Sequence, residues 1–307
     1  MIDFLIFFVS LAVLVKSSET VIEKSIDIAR ILKISTFAVG FIILAIATSL
    51  PELMVSVIAA FQGNMSIAIG NVIGSNIADI CLVLSITTFF GIVWVSRKWV
   101  VENSLILWII SLLPFALMNI TQFTRRIGFL LLMLFFFYCT ALIKPTKAYK
   151  GWEEPTLPHV LKTYVLFYVG IILIIVSAQY VVGSGTRIAE LLGVPQSFIG
   201  LTLIAVGTSL PELAVNLSAI RKRQAGLALG NILGSCITNL TLVLGAAAVV
   251  NPLAINMSFF NTSSAFLVFA SIFLYYILKK YSKIEKKHAV LLFLIYCVFL
   301  AVEVLKI

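Results

Sequence analysis

The sequence predicts an all-α integral membrane protein, with ten transmembrane helices arranged as two inverted five-helix repeats whose broken helices meet at the midplane. Three observations lead there: a composition too apolar for water, a recurrence of bilayer-length apolar spans, and an internal repeat. Of 307 residues, 61% are hydrophobic and 11% charged, whereas soluble domains carry about 25% charged residues and roughly half apolar ones. A soluble fold is excluded.

Spans of about 20 apolar residues, the length that crosses a bilayer, cover 3–31, 35–61, 65–91, 99–119, 127–143, 163–191, 196–220, 225–250, 257–278 and 288–305. In the first of these the unbroken apolar run from Phe4 to Val15 is too short to cross alone. Lys16, Glu19, Glu23, Asp27 and Arg30 follow at spacings of 3, 4, 4 and 3, which puts the charges on one helical face. The spacing predicts one long tilted helix with a polar stripe.

With ten spans and the N-terminus outside, eighteen Lys and Arg residues fall on the inner side and four, Arg125, Arg126, Arg187 and Lys306, on the outer. Basic residues concentrate on the cytoplasmic side of membrane proteins, so a multi-pass protein of the cell membrane with both termini extracellular is expected. The net charge of +9 is then a signal of topology in contact with membrane lipid, and nucleic acid is not implied. Cys81, Cys139, Cys236 and Cys297 all lie in apolar spans, where a thiol behaves as a small hydrophobe, so no disulfide framework is expected. The first apolar run continues into the amphipathic helix without a small-residue cleavage pattern, and no cleaved signal is expected.

The repeat has an offset of 160 residues. Thr48-Ser49-Leu50-Pro51-Glu52-Leu53 returns as Thr208-Ser209-Leu210-Pro211-Glu212-Leu213, and Gly70-Asn71-x-x-Gly74-Ser75 returns as Gly230-Asn231-x-x-Gly234-Ser235. Without gaps, 40–85 and 200–245 share 19 of 46 positions, more than a bias toward Leu, Ile and Val produces. Five spans per half is an odd number, so the second half enters the membrane from the opposite side. Inverted repeats with interrupted helices are the arrangement in which secondary transporters bind substrate at the midplane. The predicted units are a first repeat, 1–143, with its motif at 40–85; a cytoplasmic linker, 144–162, carrying Pro145, Pro155 and Pro158; and a second repeat, 163–307, with its motif at 200–245.

Of thirteen acidic residues, Glu52, Asp79 and Glu212 fall at mid-span. A charged group at the helix centre costs about 2.5–3.5 kcal/mol on insertion scales, so it is retained with partners, water or ions. An ion pair within the bundle is one reading, weakened because no Lys or Arg lies at that depth; proton carriage by the carboxylates is another. Pro51 and Pro211 favour cations. Each lacks an N–H for the carbonyl four residues earlier, Ala47 or Gly207, and breaks the helix there. Such broken backbone survives at membrane depth where it lines a cavity or is buried in protein. Thr48, Ser49 and Glu52, with their equivalents Thr208, Ser209 and Glu212, bring hydroxyl, carbonyl and carboxylate oxygens to the break. Asn71, Ser75 and Asp79 are four apart, as are Asn231, Ser235 and Asn239. The two asparagines Asn71 and Asn231 suit ligation and interhelical hydrogen bonding equally, while Gly70, Gly74, Gly230 and Gly234 form small-xxx-small pairs suited to close packing.

All these donors are oxygens, which Ca2+ and Na+ prefer, whereas Zn2+ or copper favour His and Cys. His159 and His288 fall in predicted inner loops, away from the site. A serine hydrolase on Ser49 or Ser209 lacks a nearby base, a two-aspartate protease lacks a second mid-membrane Asp, and no phosphate-binding loop suggests an ATP-driven pump. No enzymatic activity and no resident cofactor are expected.

These motifs resemble those of the calcium/cation antiporter superfamily, whose paired repeats contain G-T-S-x-P-E and G-S-x-x-x-[ND] segments, and the likeness is strongest to its prokaryotic Na+/Ca2+ exchanger branch. The resemblance implies exchange of Ca2+ for Na+, with both ions as substrates. It implies that Glu52 and Glu212 coordinate Ca2+ together with Thr48 and Thr208, and that Na+ sites use Ser49, Ser75, Asp79, Ser209, Ser235 and Asn239 with the carbonyls of Ala45 and Ala205. It also implies that the first two helices of the halves, 1–31 and 163–191, slide against the remaining core. Ala47 stands where the family commonly has Gly, and the family's Asn in the first repeat and Asp in the second are transposed here as Asp79 and Asn239. The proton-coupled branch carries G-N-A-x-E in place of T-S-x-P-E. The alternatives are a Ca2+/H+ or K+-dependent exchanger and, in another class, a cation channel.

Overall fold

The computed structural model describes residues 2–63, 65–91, 93–94, 97–116, 124–143, 155–191, 209–252 and 260–305. Helix α1 (Ile2–Ile31) is continuous, as the charge spacing predicts. Its buried positions include Ser10, Leu14, Ser17, Val21, Ser25 and Ile28, again spaced by three and four, while the charged stripe is occupied by ion pairs. Lys16 pairs with Glu19 at 3.4 Å, Lys24 with Asp27 at 2.8 Å, and Glu23 reaches Lys222 in the second half.

Helices α2 (Thr36–Thr48) and α3 (Leu50–Phe61) form a single path bent by 46°. Ser49 makes the joint, with ψ of 8°, and Pro51 occupies the first turn of α3, where a missing N–H removes no helical bond. Beyond it, α4 (Met65–Ile77) passes through a π-helical turn, Ala78–Val83, into α5 (Leu84–Phe90). A two-residue strand, β1 (Val93–Trp94), precedes α6 (Arg97–Ser111), the short α7 (Leu113–Ala116) and α8 (Arg125–Leu142). The second half comprises α9 (Leu157–Leu191), α10 (Leu210–Arg221) and α11 (Ala225–Thr238), the last continuing through a π turn, Asn239–Val243, into α12 (Leu244–Val250). Helices α13 (Asn261–Tyr281) and α14 (Lys286–Val304) follow, separated by β2 (Lys283–Ile284), which pairs antiparallel with β1. The sequence held no sign of this strand pair. His159 and His288, expected in loops, lie in the first turns of α9 and α14.

Among the described residues, seven helices are long and apolar enough to cross a membrane, or eight with the bent α2–α3 pair taken as one span. The expected spans 99–119 and 196–220 extend into 117–123 and 192–208, outside the described residues. The repeat is visible in the elements themselves. Residues Leu50–Phe61 recur as Leu210–Arg221, and Leu84–Phe90 as Leu244–Val250, at the 160-residue offset; a π turn begins at Ala78 in one repeat and at Asn239 in the other. Helices α1 and α9 run antiparallel, with Asp3 paired to Arg187 at 2.5 Å near one end and Val21 against Gly170 further along.

The halves interlock where α2 crosses α11. A Cβ on Gly40 would stand 2.5 Å from the Leu227 carbonyl oxygen, and one on Gly234 would stand 2.7 Å from both Ala45 Cβ and Phe41 Cα. In lipid, helices gain from packing rather than from leaving water, and small residues allow the backbones this approach. Gly40→Ala and Gly234→Ala are therefore expected to cost about 1–3 kcal/mol each, read as a melting temperature a few °C lower in detergent. Gly185→Ala, whose Cβ would meet Phe7 at an ordinary 3.6 Å, is expected to melt as the parent does. Equal melting of all three variants would contradict the close crossing.

Candidate functional site

The α2–α11 crossing carries the predicted polar residues to the middle of the bundle. Thr48 ends α2, Ser49 forms the joint and Glu52 sits in the first turn of α3; Ser209 and Glu212 hold the same positions before and within α10. Both glutamates thus stand at helix N-termini, where unpaired N–H groups and the helix dipole favour a negative charge. Ser75 lies on α4 and Ser235 on α11, while Asp79 and Asn239 fall in the π turns that follow those helices, and a further π turn, Gly40–Leu44, lies within α2. A π turn widens the helix by one residue and is frequent at functional sites. Thr208 and Ala205 lie outside the described residues.

Hydrogen bonds tie the two halves across this centre. The Thr48 hydroxyl is 3.3 Å from Asn231 Oδ1, and the Ser49 and Ser235 hydroxyls are 2.8 Å apart. Ser235 also reaches Glu212 Oε1 at 3.5 Å. The Ala45 carbonyl, expected as a ligand, accepts the Ser49 N–H at 3.0 Å and has the Thr48 hydroxyl at 3.4 Å, so it also closes the last turn of α2. Asn71 donates to the Glu52 carbonyl at 3.2 Å and to Ser56 at 3.0 Å. Of the two roles left open for it, interhelical bonding is the one observed; Asn231 likewise accepts from Thr48.

Glu52, Asp79 and Glu212 are each only 1% exposed, and Glu212 lies within Coulombic range of the other two. Among the described residues no Lys or Arg pairs with any of them; ion pairs occur toward helix ends and on the α1 stripe. Six buried oxygens of the predicted residues lack a hydrogen-bond partner among the described residues: Glu52 Oε2, both Asp79 oxygens, Ser209 Oγ, Glu212 Oε2 and Asn239 Oδ1. Buried polar atoms are nearly always satisfied, so a group of orphaned acceptors contributed by both halves marks a place for positive charge. No three His, Cys, Asp or Glu side chains among the described residues close on one point. The donor set is accordingly mixed, with carboxylate, hydroxyl and amide oxygens in sequence through the crossing.

The two halves are not equivalent in their contacts. The Ser49 hydroxyl bonds Ser235, yet the hydroxyl of Ser209, at the place of Ser49 in the second repeat, has no hydrogen-bond partner among the described residues. At one end of the bundle α1 covers α10 through the buried contact of Ser18 with Ser218 at 2.5 Å. Ile58, at the place of Ser218 in the first repeat, is 48% exposed.

Sequence reasoning missed Asn76. Its amide donates to the Cys236 carbonyl at 3.1 Å and accepts from Asn239 Nδ2 at 3.1 Å, and the Cys236 thiol faces the Asn76 carbonyl. Asn76 and Cys236 are equivalent at the 160-residue offset, so equivalent residues of the two repeats meet here. Asn76 lies off the polar stripe 71–75–79; the available signal was the mismatch of Asn with Cys inside Gly74-Ser75-x-Ile77, which recurs as Gly234-Ser235-x-Ile237.

Comparison with known proteins agrees with this architecture. The family model for the sodium/calcium exchanger protein family matches residues 2–144 and 162–305. An uncharacterized membrane protein of Methanocaldococcus jannaschii is 33% identical over 296 residues, covering 96% of each chain. The sodium/calcium exchanger MaX1 of Methanosarcina acetivorans is 29% identical and covers 98% of each. A solved structure of the sodium-calcium exchanger NCX_Mj superposes with a TM-score of 0.84 at 33% identity, covering 97% of this chain and 98% of that one. With matched residues spanning both repeats and the fold shared over nearly its whole length, the chain belongs to the sodium/calcium exchanger protein family.

Proposed function

We propose that this membrane protein is a secondary active antiporter that exchanges Ca2+ for Na+ by alternating access, with the ions held where α2 and α3 meet α10 and α11. The observation that carries the reading is the set of orphaned buried oxygens on Glu52, Asp79, Ser209, Glu212 and Asn239, contributed by both repeats. Cation ligation satisfies all of them at once. Oxygen donors of mixed type suit the hard ions Ca2+ and Na+, the ions named for the related exchangers MaX1 and NCX_Mj.

In this reading Glu52 and Glu212 hold Ca2+ with Thr48 and Thr208, and Ser49, Ser75, Asp79, Ser209, Ser235 and Asn239 with the Ala45 and Ala205 carbonyls hold Na+. The three carboxylates balance one divalent ion or several monovalent ones, and the repulsion between both loads together makes occupancy mutually exclusive. Mutual exclusion converts binding into exchange.

The chain is read as ten spans in two inverted repeats, 1–143 and 163–307, joined by a cytoplasmic linker at 144–162, with both termini outside. The antiparallel course of α1 and α9 supports inversion, because equivalent helices of inverted repeats cross in opposite directions. The unequal contacts support alternation. In the opposite state Ser209 would close on Ser75 while Ser49 and Ser235 part, as α1 and α9 slide over the core.

The reading is tested by 45Ca2+ uptake into sodium-loaded proteoliposomes with pH and K+ varied independently. Uptake is expected to follow the outward Na+ gradient; uptake driven by a proton gradient without Na+, or passive Na+-independent flux, would overturn it. Glu52→Gln or Glu212→Gln keeps size but removes a buried charge, an effect on the scale of about 3–5 kcal/mol. Each is expected to weaken Ca2+ binding more than about 100-fold while eluting as a folded protein, and normal exchange by either variant rules out a central role for that glutamate. The transposed pair supplies a further prediction. Asp79→Asn alone removes a carboxylate and weakens Na+ coupling, whereas Asp79→Asn with Asn239→Asp returns the charge in the other repeat. Sodium-driven Ca2+ flux is expected to be several-fold higher in the double variant than in the single one; equal flux at matched incorporation contradicts total cavity charge as the determinant.

A further inference from the structure

Helices α13 and α14 carry a feature unrelated to ion exchange. Between them lies an apolar groove of about 390 Å³, lined by Phe266, Phe269, Phe273, Leu291, Leu294 and Val298 together with Ile295. Its walls face outward, with Phe269, Leu294 and Val298 each more than half exposed, and Phe269 and Phe273 stack at 6.3 Å along one side. On α13 the positions 266, 269, 273, 276 and 280 are spaced three and four apart, as are 287, 291, 294 and 298 on α14. Each wall is therefore one helical face, and each face ends on a lysine.

Those lysines converge. Lys280 and Lys287 each lie 5.3 Å from the centre of the Tyr281 ring, one from either helix, and Lys280 also donates to the Tyr276 hydroxyl at 2.9 Å. Lys279 stands over Tyr275 in the same manner. Within 279–287 there are five lysines and one acid, Glu285; Glu285 pairs with Lys283 and, at 3.2 Å, with Lys287, leaving a clear positive excess. Tyrosines with basic residues at the end of apolar helices mark the headgroup level of a bilayer. At about 1.5 Å per residue the groove descends about 10–20 Å from Lys280, and one leaflet of hydrocarbon is about 15 Å deep.

We propose that this is a binding site for one anionic phospholipid of the inner leaflet, its phosphate between Lys280 and Lys287 and an acyl chain in the groove below. The lysines supply the selectivity for negative charge and the groove the requirement for a chain. The β1–β2 pair anchors the intervening loop to the first repeat, so an occupied site clamps the last two helices to the core.

Native mass spectrometry of the full chain in detergent, with equal dioleoyl-phosphatidylglycerol and dioleoyl-phosphatidylcholine, tests this directly. The parent is expected to retain phosphatidylglycerol about tenfold over phosphatidylcholine, and to melt higher in its presence. Lys280→Gln with Lys287→Gln should abolish the preference and leave weak retention of both lipids, while Leu294→Trp, which obstructs the groove and leaves the lysines, should lower retention of both. Inorganic phosphate at the same concentration should not raise the melting temperature. Equal retention of the two lipids by the parent, a preference unchanged in the double-lysine variant, retention untouched by Leu294→Trp, or equal stabilisation by phosphate alone would each overturn the site.

Discussion

Three carboxylates buried in the middle of an apolar bundle, with no basic side chain paired to them among the described residues, are the constraint from which the rest of the architecture follows. Isolated charge in a low-dielectric interior is expensive, and the chain meets that expense with geometry. Helix α2 stops short at Thr48, and α3 and α10 begin where Glu52 and Glu212 stand at their N-termini. Two others open into π turns at Asp79 and Asn239. Glycines at 40 and 234 let α2 and α11 approach closely enough for Thr48, Ser49, Asn231 and Ser235 to meet. The joints and π turns are local departures from ideal helix, and they hold the side chains whose buried oxygens lack partners among the described residues.

The 160-residue repeat brings equivalent residues of the two halves together. Asn76 and Cys236, equivalent in the repeat, touch, and the residues around them come in pairs. Identity within pairs is incomplete: Asp79 corresponds to Asn239, and the Ser49 hydroxyl is bonded while the Ser209 hydroxyl has no partner among the described residues. Paired residues with unequal contacts fit the proposed carrier with two alternate closures, in which each closure would use one half of the pairs.

Much of this was legible in the sequence because its cause is local. Proline has no N–H for a helix interior, so the joint before Pro51 followed from one residue; the break itself centres on Ser49, two residues earlier, because Pro51 fits the first turn of the new helix. The face of α1 followed from charge spacing, and the close crossing from Gly230 and Gly234. The π turns were not legible. Their extra residue changes hydrogen-bond register without altering the apolar pattern, and no residue type demands it. Asn76 was missed because its partner is set by the crossing of distant helices. The β1–β2 pair was hidden for the same reason, since two-residue strands carry no periodicity.

In the proposed site the orphaned oxygens of Glu52, Asp79, Ser209, Glu212 and Asn239 are cation ligands. Anomalous diffraction from crystals soaked in Sr2+, an electron-rich substitute for Ca2+, locates the ion itself. An anomalous peak is expected within ligand distance of the Glu52 and Glu212 carboxylates, beside the Ser49–Ser235 contact, fading as Na+ replaces Sr2+ in the soak. A fully occupied Sr2+ peak elsewhere in the molecule, with those carboxylates unliganded, would contradict it.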